Sequence, residues 1–201
     1  METAERAAGR HRDDRADAAI IDAVLDQISA GGTLSGLSLV TIARTAGVSR
    51  NSVYRRWKTK DDLYLDVLAS INRPLPDLAG QSVRDDLVDL MAVIIERTLD
   101  PRASRILRAL NAEAELFPEL HRRYFSEVVT PRRQATRRVI QRGIDTGELR
   151  PDIDVNLTAE VLVAPILSRM SQGATADLDP VKTSERIVDL LFAGIESRSA
   201  G

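Results

Sequence analysis

The side chains best suited to chemistry lie in one short segment, residues 37–60, which reads LSLVTIARTAGVSRNSVYRRWKTK. It carries hydroxyl groups, one amide and six cationic side chains: Arg44, Arg50, Arg55, Arg56, Lys58 and Lys60. No acidic residue occurs between Asp26 and Asp61. A cluster of cations without acidic neighbours favours a polyanionic partner. The segment therefore predicts hydrogen bonding and ion pairing with nucleic acid.

Two side chains in this segment have the geometry for reading bases. Arg50 can donate two hydrogen bonds to guanine, and Asn51 can pair with adenine in the same bidentate manner. Tyr54, Lys58 and Lys60 suit backbone phosphates, which position a protein without specifying sequence. The complete predicted DNA-binding set is Ser38, Ser49, Arg50, Asn51, Ser52, Tyr54, Arg55, Arg56, Lys58 and Lys60.

Some residues of this segment have two interpretations. Arg55 and Arg56 suit either base contacts or solvated surface charge. The ring of Tyr54 can pack while its hydroxyl reaches the DNA backbone. Trp57 suits packing better than DNA contact.

The elements that must position these side chains are two short helices joined by a tight turn. Ser38 is a candidate N-cap for a helix over residues 39–46, and Ser49 for a helix over residues 49–57. Gly47 gives the turn its permissive backbone. Three apolar residues have the spacing to lock the helices together: Ile42, Val48 and Val53. In such a helix-turn-helix, the N-terminal half of the second helix enters the major groove.

The extended pattern LSLVTIARTAGVSRNSVYRRWKTKDDLYLDVL resembles the N-terminal domain of TetR-type transcriptional regulators. The matching positions are Ile42-Ala43, Ala46-Gly47-Val48-Ser49, Tyr54, Trp57, Lys60 and Leu63, with Trp57 where phenylalanine is commoner. A later segment, TPRRQATRRVIQRGIDTGELRPDID, resembles the ligand and dimerisation domain of one branch of that family. The resemblance implies an all-α fold with a three-helix DNA-binding domain and a helical ligand-binding and dimerisation domain behind it.

Apolar periodicity and helix-breaking residues predict how the chain is divided. Residues 1–14 are expected to form a disordered arm, residues 15–72 the DNA-binding domain, and residues 73–201 the effector-binding and dimerisation domain. The break is the proline-rich stretch RPLPDLAG after Asn72. The predicted helices are 16–30, 39–46, 49–57, a fourth capped by Thr59, 82–99, 101–116, 118–146, 154–172 and 180–197. Pro131 and Pro165 are expected to kink or break their helices.

Composition excludes several classes of site. The 201 residues contain no cysteine, so disulfides, thiolate metal sites and cysteine nucleophiles are excluded. No apolar run approaches the ~20 residues that cross a bilayer, and the polar N-terminal stretch is unlike a secretory signal. We therefore expect a cytoplasmic protein.

Residues 1–60 hold ten Lys and Arg against seven Asp and Glu, whereas residues 61–201 hold eighteen against twenty-three. The basic front is the part expected to meet DNA.

The last two predicted helices, 154–172 and 180–197, are apolar over most of their circumference. A helix of this kind packs against a core on one face and against a partner on another. By resemblance, these helices form a homodimer interface. The alternative is that both are central core helices of a monomer.

The resemblance also implies a small-molecule effector pocket in the rear domain. Eleven residues are candidates for its lining: Met91, Ile94, Leu107, Leu110, Asn111, Phe117, Tyr124, Phe125, Leu162, Ile166 and Met170. Asn111 stands out, because a buried amide among leucines would need a hydrogen-bond partner. Only 3% of the residues are aromatic, which favours a modest apolar ligand over an aromatic-rich multidrug pocket.

The function implied is a sequence-specific DNA-binding regulator, a ligand-responsive repressor acting as a homodimer on a palindromic double-stranded DNA operator. The alternative is a helical interaction module that docks a protein partner, with DNA contact secondary.

A metal cluster is suggested by four neighbouring residues, Glu113, Glu115, Glu119 and His121, but Pro118 interrupts their helix and nothing completes a coordination set. No phosphate loop or nucleophile motif is present. We expect no enzymatic activity, no metal and no cofactor.

Overall fold

The helix-forming periodicity of this chain produces a helical protein, and the computed structural model describes residues 2–78 and 82–195. The described residues form helices and connecting turns without a β-strand, so the predicted all-α class is confirmed. Within those residues, no helix has the length and apolar character needed to cross a membrane.

The helix bounds follow the caps and breakers of the sequence closely. In chain order the helices are α1 (Glu2–Ser29), α2 (Leu39–Thr45), α3 (Arg50–Arg56), α4 (Lys60–Ser70), α5 (Val83–Leu99), α6 (Pro101–Ala112), α7 (Pro118–Tyr124), α8 (Thr130–Thr146), α9 (Val155–Gln172) and α10 (Pro180–Ile195), with a π-helical segment (Phe125–Val129) between α7 and α8. Residues 196–197, the predicted end of the last helix, lie outside the described residues.

Helix α1 is much longer than the periodicity predicted. It begins at Glu2 instead of near Ala16, so that residues 2–14, expected to form a disordered arm, belong to this helix. The reason is local propensity, since alanine, glutamate and arginine dominate this stretch and all favour a helix. The helix ends as predicted at a glycine pair. Gly31 has a φ of +98°, and the N–H of Gly32 bonds the carbonyl of Gln27 at 3.0 Å.

The chain divides into two compact units, and the first is discontinuous in sequence. It comprises Met1–Ile71 and Pro101–Tyr124, so that α6 and α7 join α1–α4. Within it, α6 packs against α1 and α4, and α7 packs against α4. The buried side chains include Ile20, Ile42, Leu63, Tyr64, Leu68, Ile106, Leu110 and Leu120.

The second unit comprises Asn72–Asp100 and Phe125–Gly201, and α5 runs through its centre. Helix α5 packs against α8, α9 and α10. The core is aliphatic and includes Val83, Leu87, Met91, Ile95, Val139, Ile140, Leu162, Ile166 and Val188. At Gly143, α8 packs closely against the connection that follows it and against the start of α5: a Cβ atom there would lie 2.8 Å from the Leu149 side chain and 3.1 Å from Val83 Cγ2.

Prolines divide one predicted helix and leave another continuous. The predicted helix 118–146 is three segments: α7, the π-helical turn and α8. Pro131 cannot donate a backbone hydrogen bond and crowds the carbonyl four residues earlier, and the wider π turn lies where that crowding falls. In α9, by contrast, the helix continues through Pro165, so the predicted break is absent there. Helix α6 ends at Ala112, four residues earlier than predicted, in a turn that leads to Pro118.

Candidate nucleic-acid interface

The helix-turn-helix is built on two serine caps and a left-handed glycine. Ser38 Oγ accepts from the Val40 N–H at 3.3 Å, and Ser49 Oγ accepts from the Ser52 N–H at 3.1 Å. Gly47 adopts a φ of +67° in the turn. Ile42 and Val53 are fully buried between the helices. The two predicted N-caps are therefore confirmed, and both hydroxyls serve the helix ends.

The exposed face of α3 carries most of the predicted DNA-binding residues. Arg50, Asn51, Tyr54 and Arg55 are exposed, as is Lys58 in the following turn, whereas Ser52 is half-buried. Arg50 Nη2 donates to the Tyr54 hydroxyl at 3.0 Å, and its guanidinium carbon lies 5.2 Å from the Tyr54 ring centroid. This face offers amide and guanidinium groups that match base edges.

Arg56 is placed differently from its neighbours. Its side chain is only 11% exposed, its Nε donates to Asp17 on α1, and its Nη1 donates to the Ser52 carbonyl at 3.1 Å. Neither predicted role, base contact or solvated charge, fits this placement. Arg56 instead fastens the recognition helix to α1, an ion pair that the sequence could not reveal because Asp17 lies 39 residues away.

Trp57 is a packing residue, as predicted. It is 6% exposed, and its indole Nε1 donates to Asp66 Oδ2 on α4 at 2.7 Å. A buried indole N–H needs such an acceptor. The side chain thus fixes the chain between α3 and α4.

The loop between α1 and α2 is held by a cluster formed by Leu34, Tyr64, Glu113 and Phe117, which we call the Leu34 cluster. Glu113 accepts the backbone N–H groups of Leu34 and Ser35 at 2.7 and 3.0 Å. The Tyr64 hydroxyl donates to the Leu34 carbonyl at 2.7 Å, and its ring meets Phe117 edge-on at 6.0 Å between centroids. Sequence reasoning missed Glu113, since its partners lie 78 and 79 residues away.

Burial and charge shift two pKa values in this cluster. Burial, together with the nearby carboxylates Glu113 and Asp61, raises the pKa of Tyr64. Burial alone would raise the pKa of Glu113, but hydrogen bonds from Ser35 and Leu34 outweigh it and hold that pKa below its usual value. Lys60 adds to this lowering; its Nζ lies 5.9 Å from the Tyr64 ring centroid, and its side chain is half-buried.

The carboxylates that approach this motif are bound to protein groups. Asp17 accepts from Arg56, and Asp66 accepts from Trp57. The Asp62 carboxylate accepts from Arg123 at 2.9 Å and from the backbone N–H and hydroxyl of Thr59. The Arg123 hydrogen bond is the main reason that the pKa of Asp62 is lowered. The exposed ionic side chains of residues 37–60 themselves are all cations, and the neighbouring carboxylates Asp17, Asp62 and Asp66 are hydrogen-bonded to protein groups.

Helix α2 contributes exposed residues that the predicted set omitted. Val40 is 53% exposed, and Arg44 and Thr45 are exposed at the other end of the helix. Arg44 lies in the acid-free window, so its charge was a sufficient signal. The exposure of Val40 had no signal in sequence, because an apolar residue at a helix start usually points inward.

The effector candidates fall in both compact units. Leu107, Leu110, Asn111, Phe117 and Tyr124 belong to the first unit, and Met91, Ile94, Phe125, Leu162, Ile166 and Met170 to the second. Asn111 is exposed on α6, so its amide is open to water and the condition of burial is not met. A shallow surface groove in the second unit includes Ile94 but none of the other candidates; it is lined by Asn72, Arg73, Val93, Ile94, Arg97 and Arg132.

The suggested metal cluster is not assembled in the part of the chain that the structure describes. Glu113 is bound to the α1–α2 loop, and Glu119 pairs with Arg122 on the same helix. These carboxylates are therefore engaged in structural contacts.

Comparison with protein families gives two matches along the chain. Residues 20–67 match the family of bacterial regulatory proteins called the tetR family, and residues 76–194 match the tetracyclin repressor-like C-terminal domain. The uncharacterised HTH-type transcriptional regulator YdeS of Bacillus subtilis is 28% identical over 195 residues, covering 96% of each chain.

Solved structures show the same fold. The chain superposes on MexZ, a key repressor responsible for antibiotic resistance in Pseudomonas aeruginosa, with a TM-score of 0.73 and 20% identity over 92% of this chain and 96% of that one. NalD, the secondary repressor of the MexAB-OprM multidrug efflux pump of the same organism, gives 0.69 and 21% identity over 94% and 100%. The helix-turn-helix and the helices that follow it therefore share one known architecture.

Proposed function

Because this chain belongs to the TetR family of bacterial transcriptional regulators, we propose that it is a ligand-responsive repressor that binds a palindromic operator as a homodimer. The family consists of DNA-binding regulators, and this chain has both of its domains. The observation that carries the proposal is the exposed, cationic face of α3 on a fully capped helix-turn-helix.

The chemistry of the side chains on this face separates base contacts from phosphate contacts. Arg50 and Asn51, on the first turn of α3, lie where a recognition helix meets base edges, and they suit guanine and adenine. Tyr54, Lys58 and Lys60 suit phosphates, and Arg44 joins them from α2. Arg56 takes no part in this contact, because Asp17 neutralises it and its side chain is nearly buried.

Homodimerisation is supported by apolar side chains left exposed on α9 and α10. Leu157, Val161 and Leu167 are 58%, 46% and 38% exposed on α9, and Leu190 is 80% exposed on α10. Large apolar side chains gathered on neighbouring helices mark an interaction surface. A two-fold dimer through these helices would present two α3 helices to half-sites about 34–36 Å apart.

The proposals of repression and effector response rest on the similarity of this chain to known TetR-family repressors. MexZ and NalD are repressors, and the same action is proposed for this chain, with residues 15–72 as the reading domain and residues 73–201 as the effector and dimerisation domain. A small apolar effector that prefers the non-binding conformation needs a coupling of only about 1–3 kcal/mol to release the operator. The bacterial chromosome is the target, so the proposed compartment is the cytoplasm.

The protein-docking alternative would need a large exposed apolar surface besides α9 and α10, and the described residues do not form one. Outside α9 and α10, the large apolar side chains exposed in the described residues are Val40, Tyr54, Leu75 and Leu116. Two belong to the DNA-reading motif, and the others are single residues, which are ordinary on protein surfaces.

The test is selection of binding sites from a random duplex library, followed by fluorescence anisotropy with the selected duplex and a scrambled duplex at two salt concentrations. A preference of ~10³-fold or more that persists at the higher salt supports the proposal. Arg50→Ala is expected to lose sequence discrimination, and Lys60→Ala to weaken binding to all duplexes. Equal, salt-sensitive binding of all duplexes contradicts a specific operator, and absence of binding contradicts the regulator itself.

A further inference from the structure

We propose that Tyr54 is a positioning residue for Arg50, holding its guanidinium ready to read a guanine. The inference rests on the proposed function, since it concerns the same recognition face. It goes further in assigning to Tyr54 a role in sequence discrimination besides contact with a phosphate.

The geometry joins the two side chains in two ways. They lie four residues apart, on the same side of α3. Arg50 Nη2 donates to the Tyr54 hydroxyl at 3.0 Å, and the guanidinium carbon lies 5.2 Å from the ring centroid, within the range of a cation–π contact. Both side chains are exposed, with Tyr54 at 43%. The pair therefore forms on the surface that faces the solvent and, in the proposed complex, DNA.

Arg50 and Tyr54 keep hydrogen-bonding groups for DNA after they have bonded to each other. A guanidinium has five N–H donors, and Tyr54 takes one. The remaining donors include the two that bind O6 and N7 of guanine. The Tyr54 hydroxyl uses a lone pair to accept from Arg50, so its own proton stays available for a phosphate oxygen.

A neutral acceptor is the suitable partner for an arginine that must read a base. Arg56 shows the contrast, because Asp17 fixes it and cancels its charge. A carboxylate at position 54 would hold Arg50 equally well but would repel the phosphates. A tyrosine limits the rotamers of the long side chain and leaves its full charge for the DNA, so less conformational entropy is lost on binding.

The experiment uses the full-length protein and the duplex selected from the random library. Arg50→Ala first identifies the base pair at which discrimination is lost. Discrimination at that pair is then measured as the ratio of Kd values for guanine and 7-deazaguanine, which lacks the N7 acceptor. The measurement covers the wild type, Tyr54→Phe, Tyr54→Leu, Arg50→Ala and the two double variants. Lys58→Ala serves as the phosphate-contact control.

The expected result is a loss confined to one base pair and dependent on Arg50. Tyr54→Phe, which keeps the ring, is expected to reduce discrimination at that pair about fivefold, the value of one hydrogen bond, and Tyr54→Leu to reduce it further. In the Arg50→Ala background, neither substitution should change discrimination. Lys58→Ala should lower affinity for both duplexes equally.

Two outcomes overturn the proposal. One is a uniform loss of affinity in Tyr54→Phe and Tyr54→Leu that is additive with Arg50→Ala, because a phosphate contact alone behaves in that way. The other outcome is measured without DNA, as the order parameter of the Arg50 Nε–H from NMR relaxation. If that order parameter is the same in the wild type and Tyr54→Leu, Tyr54 does not restrain Arg50. If the wild type prefers no duplex, the proposed function fails first and this role fails with it, whereas a specific wild type with an additive Tyr54 contradicts the positioning role alone.

Discussion

Arg50 and Arg56 carry the same charge and lie six residues apart on α3, yet their surroundings give them different functions. Arg50 stacks on a neutral ring at the surface, and Arg56 is buried against Asp17. The acid-free window of the sequence identified both as cations near DNA. It could not separate them, because the distinguishing partner lies on α1, far away along the chain.

The Arg56–Asp17 pair is predicted to stabilise the first unit. Arg56→Ala should lower the free energy of unfolding by about 1–3 kcal/mol, since it removes a largely buried cation and leaves Asp17 without its partner. Chemical denaturation measures the change. Arg44→Ala, at an exposed arginine on α2, is the matched control, expected to fall within about 0.5 kcal/mol of the wild type. Equal effects of the two substitutions would contradict the structural role of Arg56.

Glu113 is predicted to make stability depend on acid pH. Its folded-state pKa lies below the ordinary value of 4.5. The carboxylate therefore stabilises the folded state above about pH 4.5, and this contribution is lost as the pH falls through the folded-state pKa. Glu113→Gln should lower the melting temperature by a few degrees at pH 7, where hydrogen bonds to a charged group are worth about 1.5–3 kcal/mol.

Thermal melting of wild type and Glu113→Gln from pH 7 to pH 3.5 checks this prediction. The difference between their melting temperatures should shrink as the pH falls below about 4.5, because the carboxyl of the unfolded chain is protonated first and that of the folded protein only at a lower pH. Glu115→Gln, at an exposed glutamate two residues away, should show no such dependence. A difference that stays constant with pH would exclude the charge of Glu113 as the cause.

Helix ends were predictable where the signal is local. Ser38 and Ser49 fixed the starts of α2 and α3 to within a residue, and glycines ended α1, α8 and α9. Residues 118–146 are helical throughout, as predicted, but the sequence did not show that Phe125–Val129 form a π turn, because that turn continues the same apolar pattern with one extra residue per turn. The Leu34 cluster could not be predicted either, since its contacts join residues almost 80 positions apart.

The close packing of α8 at Gly143 gives a prediction about element spacing. Gly143→Ala should destabilise the protein by about 1–3 kcal/mol, because the added methyl group meets the buried side chains of Leu149 and Val83. This cost exceeds the gain of up to ~1 kcal/mol from alanine in a helix. Chemical denaturation of Gly143→Ala, Leu149→Ala and the double variant forms a mutant cycle.

The smaller side chain at position 149 makes room for the methyl group, so the double variant should be less destabilised than the sum of the two single changes. Strict additivity would show that Leu149 is not the obstacle. A gain in stability for Gly143→Ala alone would show that the helices separate at no cost.

The assembly of the whole molecule gives a further prediction. Leu190→Arg should convert the proposed homodimer to a monomer, because it replaces the most exposed large apolar side chain of α9 and α10 with a charge. Light scattering after size exclusion measures the mass. Leu116→Arg is the control, since Leu116 is also a highly exposed leucine, at 68%, but lies outside these helices. A dimer that survives Leu190→Arg, or a monomeric wild type, would contradict an interface centred on this residue.

For the whole molecule, the sequence predicted the class of fold and the order of the helices. It did not predict which helices belong to which compact unit. The division expected near residue 72 follows the chain, whereas α6 and α7 are part of the first unit. Their apolar stripes resemble those of any other helix, and only tertiary contact shows that they pack against α1 and α4.

The discontinuity of the first unit has a consequence for synthesis of the protein. A ribosome releases α1–α4 and then α5, which belongs to the other unit, before it releases the two helices that complete the reading head. At about 5–20 residues per second, the roughly fifty residues between Ile71 and Tyr124 take about 3–10 s. During that interval the surfaces of α1 and α4 that α6 and α7 will cover are exposed, and nascent chains in this state are substrates for chaperones. The DNA-reading head therefore matures only after more than half of the polypeptide has been made.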